Sequence, residues 1–226
     1  MNPLDLIRFD VAGFEAQGDR NGVRVWHSPA GDGVGLYYYP IPPDIEADLE
    51  DVEAIRTFYR KTASRSGSAI IEVETPMVQK FRAVRTIVKV PQNPSGMSYL
   101  GSLTLPFRDF SYVLKVQCAE RGVTGEREAL ILDRLIASGV VSISQEGGIE
   151  GWMEDPYDAT VRAPFMRNRA EATEYDAKFP EHPLSRARQV LDGIQTTMAI
   201  SPSLRSAPSF QYSAPPHHAG RWWRRW

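Results

Sequence analysis

The feature that most constrains this chain is a block of four period-two runs, at about residues 69–75, 79–90, 97–105 and 110–118, with only short spacers between them. Side chains alternate faces along a strand, so each run reads as a strand with two distinct sides. In the last run Tyr112, Leu114, Val116 and Cys118 share one face, while Val113, Lys115 and Gln117 share the other. Spacers this tight suit hairpins, which join antiparallel neighbours, and exclude the long crossovers of a parallel sheet. Upstream, Val23, Val25 and His27 alternate against Arg24 and Trp26, and Val34, Leu36 and Tyr38 alternate against Gly35, Tyr37 and Tyr39, with Gly31 and Gly33 in the turn. Pro40, Pro42 and Pro43 stop that strand.

Helical patterns interrupt the strands. One opens at Asp51 as N-cap, carries Val52, Ile55, Phe58, Tyr59 and Thr62 on its apolar face, and closes at Gly67. A second is expected over 124–138, with Thr124 as cap and Ile131, Leu132, Leu135 and Ile136 as its stripe; a third is expected over 184–194 behind Pro183. The fold class is α+β: an antiparallel sheet of about six to seven strands with helices packed on it, followed by an irregular, partly helical C-terminal extension. The expected organisation is a sheet domain over 1–138, an extension over 139–199 that folds back onto it, and a disordered Arg/Trp tail over 200–226. Trp152, Tyr157, Phe165, Met166, Tyr175 and Phe179 argue that the glycine- and proline-rich stretch 144–183 is ordered, because a free linker rarely carries so many large apolar groups.

Charge narrows the class of partner. From Ile200 onward there are four arginines and no acids, so the remainder holds 22 basic against 28 acidic residues. An acidic body argues against nucleic acid, which needs a basic footprint. Cys118 is the lone cysteine, which excludes an intramolecular disulfide and fits a reducing compartment. The N-terminal residues hold no apolar run of the signal-peptide kind, and a cytoplasmic location is the expectation.

The succession of a first sheet segment, a helix at 51–66, a four-strand meander and a helix at 124–138 resembles the PsbP-like and DcrB-like α/β/α sandwich group over residues 9–138. Tyr99-Leu100-Gly101-Ser102 and Gly125-Glu126-Arg127-Glu128-Ala129 are its most family-like stretches. Members of that group are mostly non-catalytic: extrinsic subunits, small-GTPase binders, secretion-effector chaperones and envelope lipoproteins. The resemblance therefore implies a binding role and transfers no functional residue. The chain departs from the lipoprotein members in lacking a lipidated cysteine, and from the group in its long extension after residue 139.

Cys118 falls in the buried strand row, where a thiol is inert. Asp155, Asp158, Asp176, Glu181 and His182 crowd one segment without the spacing of a calcium loop, and Arg162, Arg167 and Arg169 lie among them as ion-pair partners. Gly147-Gly148 and Gly31/Gly33 lack the lysine and hydroxyl of a phosphate loop, and His217-His218 alone make a poor metal site. No cofactor, metal or catalytic residue is expected. The expected function is a non-catalytic, protein-binding or chaperone-like accessory role, its rival a metal-dependent enzyme or hydrolase built on the acids of 155–182. The candidate binding residues are Arg85, Lys89 and Lys115 on the polar sheet face, and Trp222, Trp223 and Trp226 in the tail, which pair indoles with arginines as docking or weakly membrane-touching peptides do.

Overall fold

The chain is described from a computed structural model, which covers residues 2–212. Its centre is a seven-stranded, wholly antiparallel sheet: β1 (Glu15–Arg20), β2 (Val23–His27), β3 (Gly33–Tyr39), β4 (Ala69–Glu74), β5 (Val84–Pro91), β6 (Met97–Pro106) and β7 (Ser111–Ala119). The spatial order is β1-β2-β3-β7-β6-β5-β4. Two meanders meet at the β3–β7 pair, and helix α1 (Val52–Arg65) carries the chain from β3 to the far edge so that β4 to β7 can return. Asp51 caps α1 through the Ala54 amide, as its spacing predicts.

Local differences from the expected elements have physical causes. The run at 79–90 divides: Met77–Val78 pairs with Phe81–Arg82 around Gln79, which adopts a left-handed backbone, and β5 begins only at Val84. Helix α2 (Glu126–Ala137) is capped by the left-handed Gly125 without a side-chain bond, and not by Thr124. Helix α3 (Pro183–Thr197) has Pro183 in its first turn and His182 as N-cap.

The four-residue row Tyr112, Leu114, Val116 and Cys118 is buried as the alternation requires, and α3 lies across it, bringing Leu184, Ala187, Leu191 and Ile194 into the main core. Gly101 makes the close approach possible. A Cβ there would stand 2.5 Å from Leu191. On the other face α1 packs Ile55 and Ala63 against Ile70, Val73 and Val84 at the β4–β5 end. A third cluster joins Ile131 of α2 to Ala170 and Tyr175.

The segment between α2 and α3 holds two short strand pairs and two 3-10 turns, and its Ala170 and Tyr175 pack against Ile131 of α2. Residues 200–212 correct the expectation of disorder from residue 200. Ala199–Ile200 pairs with Ile7–Arg8, Leu204 is buried, and Ser209 bridges to Phe107. Ile200, Leu204 and Phe210 fill seams between other elements, and that burial offsets the ordering of an otherwise polar stretch. Trp222, Trp223 and Trp226 lie outside the described residues. Among the described residues no helix is long and apolar enough to cross a membrane.

Candidate interaction surface

The two faces of the sheet present different surfaces. The face bearing Arg85, Lys89 and Tyr99 was expected to be polar and solvated for the first two residues, and the structure corrects that. Lys89 Nζ is 2.8 Å from Glu171 Oε2, with the two side chains only 4% and 0% exposed. Tyr99 Oη donates to Glu171 Oε1 at 2.7 Å, and the Asn168 amide donates to Oε2. Arg85 is buried as well, bonded to Glu72 and, from α3, Asp192. Charges in such a position must be paired to be tolerated, and their partners arrive from the extension and α3. Neither residue is available to a partner.

The acids of the rival enzymatic reading are kept apart, Asp176 on the side of α2 and α3 and Asp155 on the side of α1. Asp176 lies between Arg127 and Arg188. Arg127 is fully enclosed and donates further to the carbonyls of Ala170 and Ala172 and to Ser185 Oγ. Asp155 is held by both nitrogens of an Arg60 fork, and Asp158 turns outward to Thr160. Burial raises the Asp155 carboxyl, but the Arg60 bonds and two backbone amides outweigh it and leave Asp155 below its ordinary value. These groups fasten the extension to the three helices, through Arg60, Arg127 and Arg188, and do not converge on a cleft. Arg167 and Arg169 face Glu154, and Arg162 donates to backbone carbonyls, so the three arginines make no shared anion site.

Glu120, Glu128 and His182 each bring one ligand atom within 4.8 Å of the others beside a cavity of about 320 Å³. The His182 tautomer opposes a metal there. Nδ1 accepts from the Leu184 amide and faces an Arg127 nitrogen, so in the neutral ring the proton sits on Nε2, 3.4 Å from Glu128 Oε1. Burial raises Glu128, and the neighbouring imidazole and Arg127 bring it below its ordinary value. Glu120 is occupied with the amides of Met97 and Gly125. Cys118 is enclosed, and burial with Asp32 beside it pushes its thiol up to about 12, far from a nucleophile's range.

The opposite face is covered at one end, by α1 together with Ile45, Leu49, Tyr157 and Phe210. Over β1, β2, β3 and β7 the register brings Val23, Val25, Gly35, Tyr37, Val113 and Lys115 to the same side, and all but Gly35 are only part-buried. Tyr37 and Tyr39 stack at 6.1 Å. Gly35 lets the Tyr37 ring lie flat, since a Cβ there would come within 2.7 Å of the ring, and Lys115 Nζ lies 5.1 Å from the ring centroid. Of the candidate residues on the sheet, Lys115 alone is on this partly open face. Burial lowers its ammonium, and Asp44 works against that shift.

Residues 44–50 border this face as a ridge. Ile45, Ala47 and Leu49 point inward, while Asp44, Glu46, Asp48 and Glu50 are exposed, and Ile41 just before them is 61% exposed. Sequence reasoning missed the ridge although its signal is plain: strict acid–apolar alternation from Asp44 to Glu50. It paired Glu171 only with the arginines of its own segment and gave Arg127 no role, because the partners of both lie far along the chain.

No protein-family model matches the sequence, and no curated protein matches it. Among solved structures the chain is similar to the Ran-binding protein Mog1p of Saccharomyces cerevisiae, at 12% identity over 89% of this chain and 94% of that one, with a TM-score of 0.46. It is also similar to cyanobacterial PsbP (CyanoP) of Synechocystis sp. PCC 6803, at 14% identity over 60% of this chain and 86% of that one, with a TM-score of 0.34. A PsbP protein, of the group that the order of elements resembles, is thus among the solved structures similar to this chain.

Proposed function

We propose that this chain is a non-catalytic accessory protein of the cytoplasm that binds another protein through the open half of its sheet. The observation that carries this reading is the part-buried apolar face of Val23, Val25, Tyr37, Tyr39 and Val113, left uncovered by α1 and bordered by exposed acids. Flat aromatic surface with few charges at its centre and charge at its rim suits protein recognition. The acidic rim repels nucleic acid. The inert thiol and the separated acids of 155–182 support a binding role over an enzymatic one.

The test compares wild type with Tyr37→Glu and Val25→Asp in capture from the native host's lysate, followed by titration with the purified captured protein. A protein that binds wild type, and binds both variants at least tenfold more weakly while they melt normally, supports the proposal (about 1.4 kcal/mol per tenfold). Equal binding to all three overturns the assignment of this face.

A further inference from the structure

We infer that the open sheet face is a docking site for this chain's own C-terminal segment, residues 221–226. The inference rests on the reading of that face as an interaction surface, though it needs no foreign partner. Three observations carry it.

The first is the path of the chain. Ser209 bridges to Phe107, next to Pro106, which lies opposite Ser111; Ser111 in turn lies opposite Tyr39. Phe210 packs with the cluster of Ile45, Leu49 and Phe58 beneath the ridge. The chain is thus delivered to the edge of the open face. From Tyr212, an extended chain reaches about 30 Å by residue 221, at roughly 3.3 Å per residue, which is enough to cross the strands of that face.

The second is charge. Residues 44–53 contain six acids and no base. Glu50 is paired with Arg82 and Glu53 with Arg56. Asp44, Glu46, Asp48 and Asp51 have no ion pair among the described residues. The segment 221–226 supplies Arg221, Arg224 and Arg225 and no acid.

The third is surface chemistry. Trp222, Trp223 and Trp226 offer indoles matched to the Tyr37–Tyr39 stack and the exposed Ile41, and guanidinium groups stack on tyrosine faces as well as pairing with carboxylates. A short tether holds such a segment at an effective concentration in the millimolar range, so contacts too weak for an untethered hexapeptide become sufficient. A docked tail occupies the surface a partner needs, and a partner must displace it.

The experiment uses the full chain. Ala219→Cys is labelled with a nitroxide, the enclosed Cys118 remaining unlabelled, and paramagnetic broadening of backbone amides is read by NMR. The expected result is loss of most signal intensity confined to the amides of the open face and its ridge, residues 23–27, 35–48 and 111–117, recovered at about 0.5 M salt, where the screening length falls to a few Å. The broadening is also expected to be abolished by Asp44→Lys, Glu46→Lys and Asp48→Lys together. If that triple variant does not fold, Arg221→Ser, Arg224→Ser and Arg225→Ser provides the same test from the tail. Broadening that is absent or spread evenly overturns the inference. So does broadening that appears only when labelled and isotope-enriched copies are mixed, which assigns the face to a second copy. Partner binding that Tyr37→Glu weakens, without tail broadening, removes this inference and leaves the proposed function standing.

Discussion

The two faces of one sheet handle polar side chains in opposite ways. Beneath α3 and the extension, Lys89, Arg85 and Tyr99 are enclosed, and each is answered by a group from a distant part of the chain. Across β3 and β7 on the other side, Lys115 and the tyrosines remain partly open, with acids at the border. A charge on a strand therefore says little about exposure until the covering layer is known. On the sealed face charge fastens layers together. On the open face it shapes a surface.

The comparison is most sharply tested at Glu171. Glu171→Ala leaves Lys89 buried without its partner and Tyr99 without its acceptor, and the expected cost is about 3–5 kcal/mol, read by denaturant unfolding. If that cost is no larger than the cost of Tyr37→Ala, the two faces do not differ as described. Next, Gly101→Ala forces α3 away from the sheet at Leu191, for an expected loss of about 1–3 kcal/mol. An unchanged melting temperature would show that the helix yields freely.

A smaller effect is expected in acid. Asp155 lies below its ordinary 3.8 in the folded chain, so the unfolded state binds more protons there. Its contribution is complete above that value and is lost as pH falls through the lower folded value. Thermal melts from pH 6 down to about pH 3 should show a decline that Asp155→Asn flattens, with about 1–2 kcal/mol lost at neutral pH. The smallest effect on stability belongs to the open face: Tyr37→Ala is expected to shift stability by no more than about 1 kcal/mol while weakening partner capture.

The periodic half of the chain was largely legible. Asp51 as a cap, the row from Tyr112 to Cys118, and Pro183 in the first turn of α3 all lie where spacing puts them, because each depends on residues within a few positions. Thr124 and the run at 79–90 were misread, because Gly125 and Gln79 adopt left-handed backbones that periodicity does not report. Leu204 and Phe210 were placed in a disordered tail by composition alone. Their burial depends on a seam formed by other elements.

Alternation with period two and period 3.6 by itself determined the fold class and most strands and helices, since the direction of each side chain follows from the backbone. Only the tertiary structure decided which face is sealed and which is open. Lys89 meets its acid 82 residues later in the chain and Tyr99 meets the same acid 72 residues later. Pairings at that separation depend on how a layer returns to the sheet, and no local pattern encodes them.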